Sequence, residues 1–147
     1  MGSPRFPFSI FLILLAIGTL AAPPAAAAGG RDFAALYQLS HVTDLGVQVR
    51  VTLALRLFNY SDADLTNAKV TLQDSREPLK SLGSLGTISF RRRESGHLSE
   101  TFIIPKEEYN RWRHGASPTV QITYKDGKGK PQQRLIELAP RFVGGGF

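Results

Sequence analysis

Residues 47–58 read VQVRVTLALRLF. Val47, Val49, Val51, Leu53, Leu55 and Leu57 are apolar, while Gln48, Arg50, Thr52 and Arg56 fall between them. A period of two sends successive side chains to opposite faces of a strand, one onto a core and the other into water. A helix would scatter the same apolar residues around its circumference. The run exceeds the usual strand of about 5–6 residues, so it is expected to bend or to change neighbours along its length. An all-β fold follows if the flanking segments supply partners.

They do. Upstream, LYQLSHVTD predicts a strand over about 36–42, turning through Asp44-Leu45-Gly46 into the long one. Downstream, Ala68, Val70 and Leu72 alternate, predicting a strand over about 67–74. Between them lies the polar segment Asn59-Tyr60-Ser61-Asp62-Ala63-Asp64. Asn, Ser and Asp close turns with their own side chains, so a structural corner is expected there. A calcium site through Asp62 and Asp64 is the sharper alternative, but two carboxylates fall well short of the roughly six to eight oxygens that such a cation takes. SREPLKSLGSLG, 75–86, reads as a loop with Leu79, Leu82 and Leu85 tucked inward. TISFRRRESGHLSETFIIP reads as a hairpin with arms at about 85–92 and 97–104 joined through Glu94-Ser95-Gly96.

PKEEYNRWRHG, 105–115, is the one helical candidate, with Pro105 at its start, Glu107 and Glu108 at its positive end, Arg111 and Arg113 at the other, and Gly115 as a stop. TVQITYK and QQRLIELA form a last hairpin across Asp126-Gly127-Lys128-Gly129-Lys130. About seven strands with a turn signal every 8–12 residues or so predict an antiparallel β-sandwich with Greek-key connections and one short linker helix. A small closed barrel is the alternative.

The first 28 residues carry Arg5, an apolar stretch and an Ala/Pro-rich segment, the order of a secretory signal peptide. The apolar stretch from Ile10 to Ala22 is short for a helix crossing about 30 Å of hydrocarbon, so cleavage is expected and no transmembrane span after it. Residues 29–35 are then a flexible segment, 36–140 the sandwich and 141–147 a flexible tail. The chain has no cysteine, so no disulfide or thiolate metal cluster can hold it and no thiol can act as nucleophile. That composition suits a bacterial periplasmic or secreted protein.

Without the leader, 17 basic and 12 acidic residues leave a net charge of +5. The excess favours an anionic partner, a protein or an envelope component. Nucleic acid is not expected in an exported protein. Hydrophobic residues at 42% and charged residues at 20% are ordinary for a globular protein and argue against disorder of the whole chain.

The strand ending at Phe58, then Asn59 and its small polar followers, then Leu65-Thr66-Asn67-Ala68-Lys69-Val70-Thr71-Leu72, resembles the first half of bacterial immunoglobulin-like modules of the CARDB and adhesion-repeat type. The resemblance covers residues 47–72, with Ser61 or Asp62 where those modules usually carry Gly. It implies an immunoglobulin-like fold and a non-enzymatic, binding habit, and assigns no functional residue.

Two clusters are candidates for binding. Arg91, Arg92 and Arg93 carry guanidinium forks that pair with phosphate or carboxylate. In a continuing strand they alternate between faces, so they form one patch only if the strand has ended. Tyr109 and Trp112, three apart on the expected helix and flanked by Arg111 and Arg113, would either plug the end of the sandwich or present an aromatic platform to a glycan. The second possibility makes a carbohydrate-binding module the alternative function. His41, His97 and His114 are dispersed, and no Ser lies in a G-x-S-x-G or S-x-x-K setting. No catalytic group, metal site or cofactor is expected.

Overall fold

The alternation at 47–58 becomes β2 (Gln48–Asn59) in the computed structural model, which describes residues 32–141. Val49, Val51, Leu53, Leu55 and Leu57 are each buried to within 2% exposure, and their neighbours face outward. Val47 is the exception. It lies in the turn ahead of the strand and is 85% exposed. The expected leader over 1–28, residues 29–31 and tail residues 142–147 lie outside the described residues.

Around β2 stand β1 (Phe33–Asp44), β3 (Leu65–Gln73), β4 (Ser81–Phe90), β5 (Ser95–Pro105), α1 (Lys106–Arg113), β6 (Thr119–Lys125), β7 (Pro131–Glu137) and the two-residue β8 (Ala139–Pro140). They form two four-stranded sheets, β5-β2-β1-β8 and β4-β3-β6-β7. The molecule is an all-β sandwich and not a closed barrel. Every ladder is antiparallel except β8, which lies parallel to β1 through Leu36 opposite Ala139 and Tyr37 opposite Pro140. Strand β1 begins at Phe33, three residues before its expected start, because Phe33 and Ala35 continue the buried series of Tyr37 into the core.

The second sheet supplies Leu65, Ala68, Val70 and Leu72 from β3, Val120 and Ile122 from β6, and Ile136 from β7. Leu65 and Ala68 are three apart, which strict alternation forbids. A register shift in the β3–β4 ladder absorbs the extra residue, with Asn67 at φ 51°, a left-handed conformation that Asn adopts more readily than most side chains.

The largest departure from expectation concerns β4 and β5. They are not a hairpin: β4 pairs with β3 and β5 with β2, so the chain crosses from one sheet to the other at residues 91–94. Each strand has an apolar face that needs the core, Leu85, Ile88 and Phe90 on β4 and Phe102 and Ile104 on β5. Lying in opposite sheets, the two faces meet each other. A Cβ on Gly96 would come 2.4 Å from Ile88 Cδ1, and one on Gly83 would come 2.9 Å from Phe102 Cε1. Glycine is what lets the sheets close at this arch. The supposed loop over 75–86 is therefore half strand, since Ser81–Gly86 belongs to β4.

Sequential strands that run up and down put successive connections at alternate ends. The β2–β3, β4–β5 and β6–β7 loops share one end. The β1–β2 turn, the β3–β4 loop and α1 share the other.

Candidate functional site

Asn59 ends β2 and is 1% exposed. Its Nδ2 donates to Ala63 O at 2.8 Å and to Arg91 O at 3.4 Å, while its Oδ1 accepts from Ser61 N at 3.0 Å and Ser61 Oγ at 2.6 Å. Its backbone is equally committed. Asn59 N donates to Glu94 O at 2.9 Å, and Asn59 O accepts from Arg93 N at 2.8 Å. One buried amide thus fastens the polar corner to itself and to the β4–β5 turn, as a buried polar group must be satisfied.

The two carboxylates of the corner are engaged in the same way. Asp64 Oδ1 accepts from Arg92 N at 2.8 Å, and Asp62 Oδ1 meets Arg93 Nη2 at 3.1 Å on the surface. Among the described residues no group of three or more His, Asp or Glu is arranged to hold a metal ion.

Strand β4 stops at Phe90, so Arg91, Arg92 and Arg93 occupy a turn, closed by Glu94 N to Arg91 O at 3.2 Å and Arg91 N to Glu94 Oε2 at 3.2 Å. Arg93 takes φ 65°. Of the guanidinium groups, that of Arg93 pairs with Asp62, and Arg92 lines a cleft that Asp62 also borders.

The cleft has a structural cause. The β3–β6 ladder runs from Gln73 opposite Thr119 to Lys69 opposite Thr123 and ends there. Beyond it β3 stays with β4 and β6 with β7, so the two pairs part towards the loop end. A space of about 830 Å³ opens between them, lined by Asp62, Asp64, Thr66, Asn67, Lys69, Arg92, Thr123, Tyr124, Lys125, Asp126 and Pro131 among others. That volume is within the range of pockets holding drug-sized ligands.

The β6–β7 hairpin forms one wall and is rigidified by Asp126. Its Oδ1 accepts from Lys128 N and Lys130 N, each at 2.9 Å, and its Oδ2 from Gln132 Nε2 at 3.1 Å. The bond from Lys130 N is the chief reason that this carboxyl is held below its ordinary value. Tyr124 sets its ring edge-on to Phe33, with centroids 5.7 Å apart at 73°, and burial pushes its phenol up. It therefore remains a protonated donor through the neutral range.

The second expected cluster sits at the opposite end. Trp112 is 4% exposed and donates from Nε1 to Glu108 Oε1 at 2.7 Å. Glu108, itself 1% exposed, also accepts from Ser75 N at 2.7 Å and from Arg111 Nη2, and Arg111 Nε reaches Ser75 Oγ at 3.2 Å. Tyr109 packs half-buried against the core. The aromatic pair is thus a plug: Trp112 cannot offer a ring face to a sugar. Arg111 ties α1 to the β3–β4 loop, Arg76 adds a surface pair with Glu107 at 3.0 Å, and Arg113 remains exposed in the last turn. Lys106 fixes the helix start, its N donating to Val47 O at 3.0 Å and its Nζ to Asp44 Oδ2 at 2.5 Å.

The structure therefore does not unite the two arginine clusters. Strand β5 separates them by about 30 Å, at roughly 3.3 Å per residue. What it does unite with Arg92 is a set that the sequence reading left unassigned: Thr66, Lys69, Thr123, Tyr124 and Lys125. Their one sequence signal was proximity to the polar corner and to the Asp-Gly hairpin.

No family model matches the chain, and no curated protein matches it. Among solved structures it is similar to a FixG-related protein from Vibrio parahaemolyticus, at 12% identity over 76% of this chain and 98% of that one, with a TM-score of 0.35. It is also similar to a Northeast Structural Genomics Consortium target, at 10% identity over 76% of this chain and 86% of that one, TM-score 0.40. Likenesses of this strength carry no argument about function.

Proposed function

We propose that this chain is an exported, non-enzymatic immunoglobulin-like recognition module of the bacterial periplasm or exterior, which binds an anionic protein or envelope component at its loop end. The observation that carries the reading is the convergence of the β2–β3, β4–β5 and β6–β7 loops around one cleft, with Arg92 on its wall. A rigid sandwich presenting connections at one end is the arrangement by which such folds recognise partners. The strand order supports the immunoglobulin-like description. In that plan strands A, B and E face C, F and G; here β1, β2 and β5 face β3, β6 and β7, with β4 added beside β3.

The test is affinity capture from envelope extract with the full chain at low and high salt, beside a variant carrying Ser at 91, 92 and 93. The corner is held by the backbone N–H and C=O groups of these residues, so the variant keeps its fold. A partner captured at low salt, and lost both at high salt and by the variant, is expected. A partner retained at high salt and by the variant would place recognition elsewhere, and the absence of any partner would refute the reading.

A further inference from the structure

The formal charges lining the cleft cancel, but the hydrogen-bonding capacity does not. Asp62, Asp64 and Asp126 already accept bonds from the protein, from Arg93, from Arg92 N and from the β6–β7 loop respectively. The side-chain nitrogens of Lys69, Arg92 and Lys125 take part in none of the ion pairs and hydrogen bonds among the described residues. Lys128 and Lys130 stand in the adjoining hairpin loop. A ligand entering the cleft therefore meets cationic donors still to be used, while both oxygens of Asp126 and the Oδ1 atoms of Asp62 and Asp64 are already engaged by the protein.

Between those cations lie neutral hydrogen-bonding groups, Thr66, Asn67 and Thr123, and the apolar surfaces of Tyr124 and Pro131. A bare phosphate or sulfate has no use for these. A sugar ring does, with hydroxyls around its rim for the neutral groups and a C–H face for the aromatic and proline surfaces. The volume of about 830 Å³ holds a short chain of rings.

Building on the anion reading above, we propose that the loop-end cleft is the binding site for an acidic saccharide, a short oligosaccharide carrying carboxylate or phosphate groups. Lys69, Arg92 and Lys125 take the acidic groups, and Thr66, Asn67 and Thr123 take the hydroxyls. This moves carbohydrate recognition from the helix end, where Trp112 is buried, to the opposite end of the sandwich.

The test is a titration of the isotopically labelled full chain, following backbone amide shifts, with trigalacturonate, its neutral methyl ester, a sugar phosphate, inorganic phosphate and a triglutamate peptide. Trigalacturonate or the sugar phosphate is expected to shift amides at 66–69 and 123–127. The methyl ester and inorganic phosphate should each bind at least about tenfold more weakly, a charge-assisted hydrogen bond being worth about that factor. Lys69→Gln and Lys125→Gln should each weaken the acidic sugar by a similar factor while leaving the amide spectrum of the free chain in place. Equal binding of triglutamate would overturn the saccharide proposal and leave the anion reading standing. Failure of every anion to shift these amides would overturn the saccharide site, while the anion reading is decided separately by the salt-sensitive capture.

Discussion

Replacing Asn59 by Ala tests whether one buried amide organises the loop end. The change removes three close hydrogen bonds, at 2.6, 2.8 and 3.0 Å, and a longer one at 3.4 Å. At about 1 kcal/mol net for each close bond the loss would be about 3 kcal/mol. Ser61 is half-buried and Ala63 exposed, so water recovers part of it, and the expected figure is about 2–3 kcal/mol. In urea, with a slope of about 1–3 kcal/mol per molar, that moves the midpoint down by roughly 1–2 M with the slope unchanged. Asn59→Asp sharpens the test by keeping the shape while placing a carboxylate oxygen against Ala63 O. Its protonated form can donate there, so the folded state of this variant binds its proton more tightly than the unfolded state does. Stability gained from that proton is present at low pH and lost as pH rises through the folded-state value. The deficit of Asn59→Asp relative to the parent should therefore shrink on acidification. A loss below about 0.5 kcal/mol for Asn59→Ala, or a deficit for Asn59→Asp that is flat with pH, would refute the assignment of the corner to this side chain.

Three further outcomes follow from the same geometry. Glu108→Gln keeps an oxygen for Ser75 N and Trp112 Nε1 but turns an amide donor towards Arg111, whose side chain is 28% exposed; a loss of about 2 kcal/mol, below the roughly 3–5 of a fully buried pair, should lower the melting temperature by roughly 8 °C. An unchanged melting curve would show that α1 is held without the buried carboxylate. Gly96→Ala should destabilise by about 1–3 kcal/mol through overpacking, and Ile88→Val, which removes the Cδ1 that the new methyl would strike, should recover part of that in a double-mutant cycle; strictly additive effects would mean that the arch does not close as described. The Asp126 carboxyl, held below its ordinary 3.8 chiefly by Lys130 N, contributes order to the β6–β7 loop above that pH and loses it as pH falls through the lower folded value. The amide protons of Lys128 and Lys130 should titrate together with an apparent midpoint below 3.8, and a midpoint at or above it would contradict the bonding seen.

The periodicity of β2 was legible because burial on one face of a strand is written every second residue, and its five inward side chains needed no knowledge of their partners. The β4–β5 arrangement was not legible, because adjacency in sequence resembles pairing and because Gly83, Gly86 and Gly96 read as punctuation. The role of Gly83 and Gly96, letting Phe102 and Ile88 approach from the opposite sheet, is a property of the closed sandwich. The site divides in the same way. The polar corner and the arginine run were each visible, but the links between them, Asp62 to Arg93 and Asp64 to Arg92, span 31 and 28 residues, and composition does not say that such distant groups meet. The cleft depended on where the β3–β6 ladder ends, which no local signal marks.

One inference was nonetheless within reach of the sequence. In a chain of strands that run alternately up and down, the connections after the second, fourth and sixth strands must share an end, whichever sheet each strand joins. Counting strands places 59–64, 91–94 and 126–130 together and sends 105–115 to the far side, even with β4 and β5 misread as a hairpin. Parity alone would have separated Arg91–Arg93 from Arg111 and Arg113, joined the arginine turn to the polar corner, and pointed to the hairpin of Asp126 as the third wall. The grouping of functional residues is thus more robust to topological error than the assignment of sheets, because it follows from strand direction and not from strand pairing.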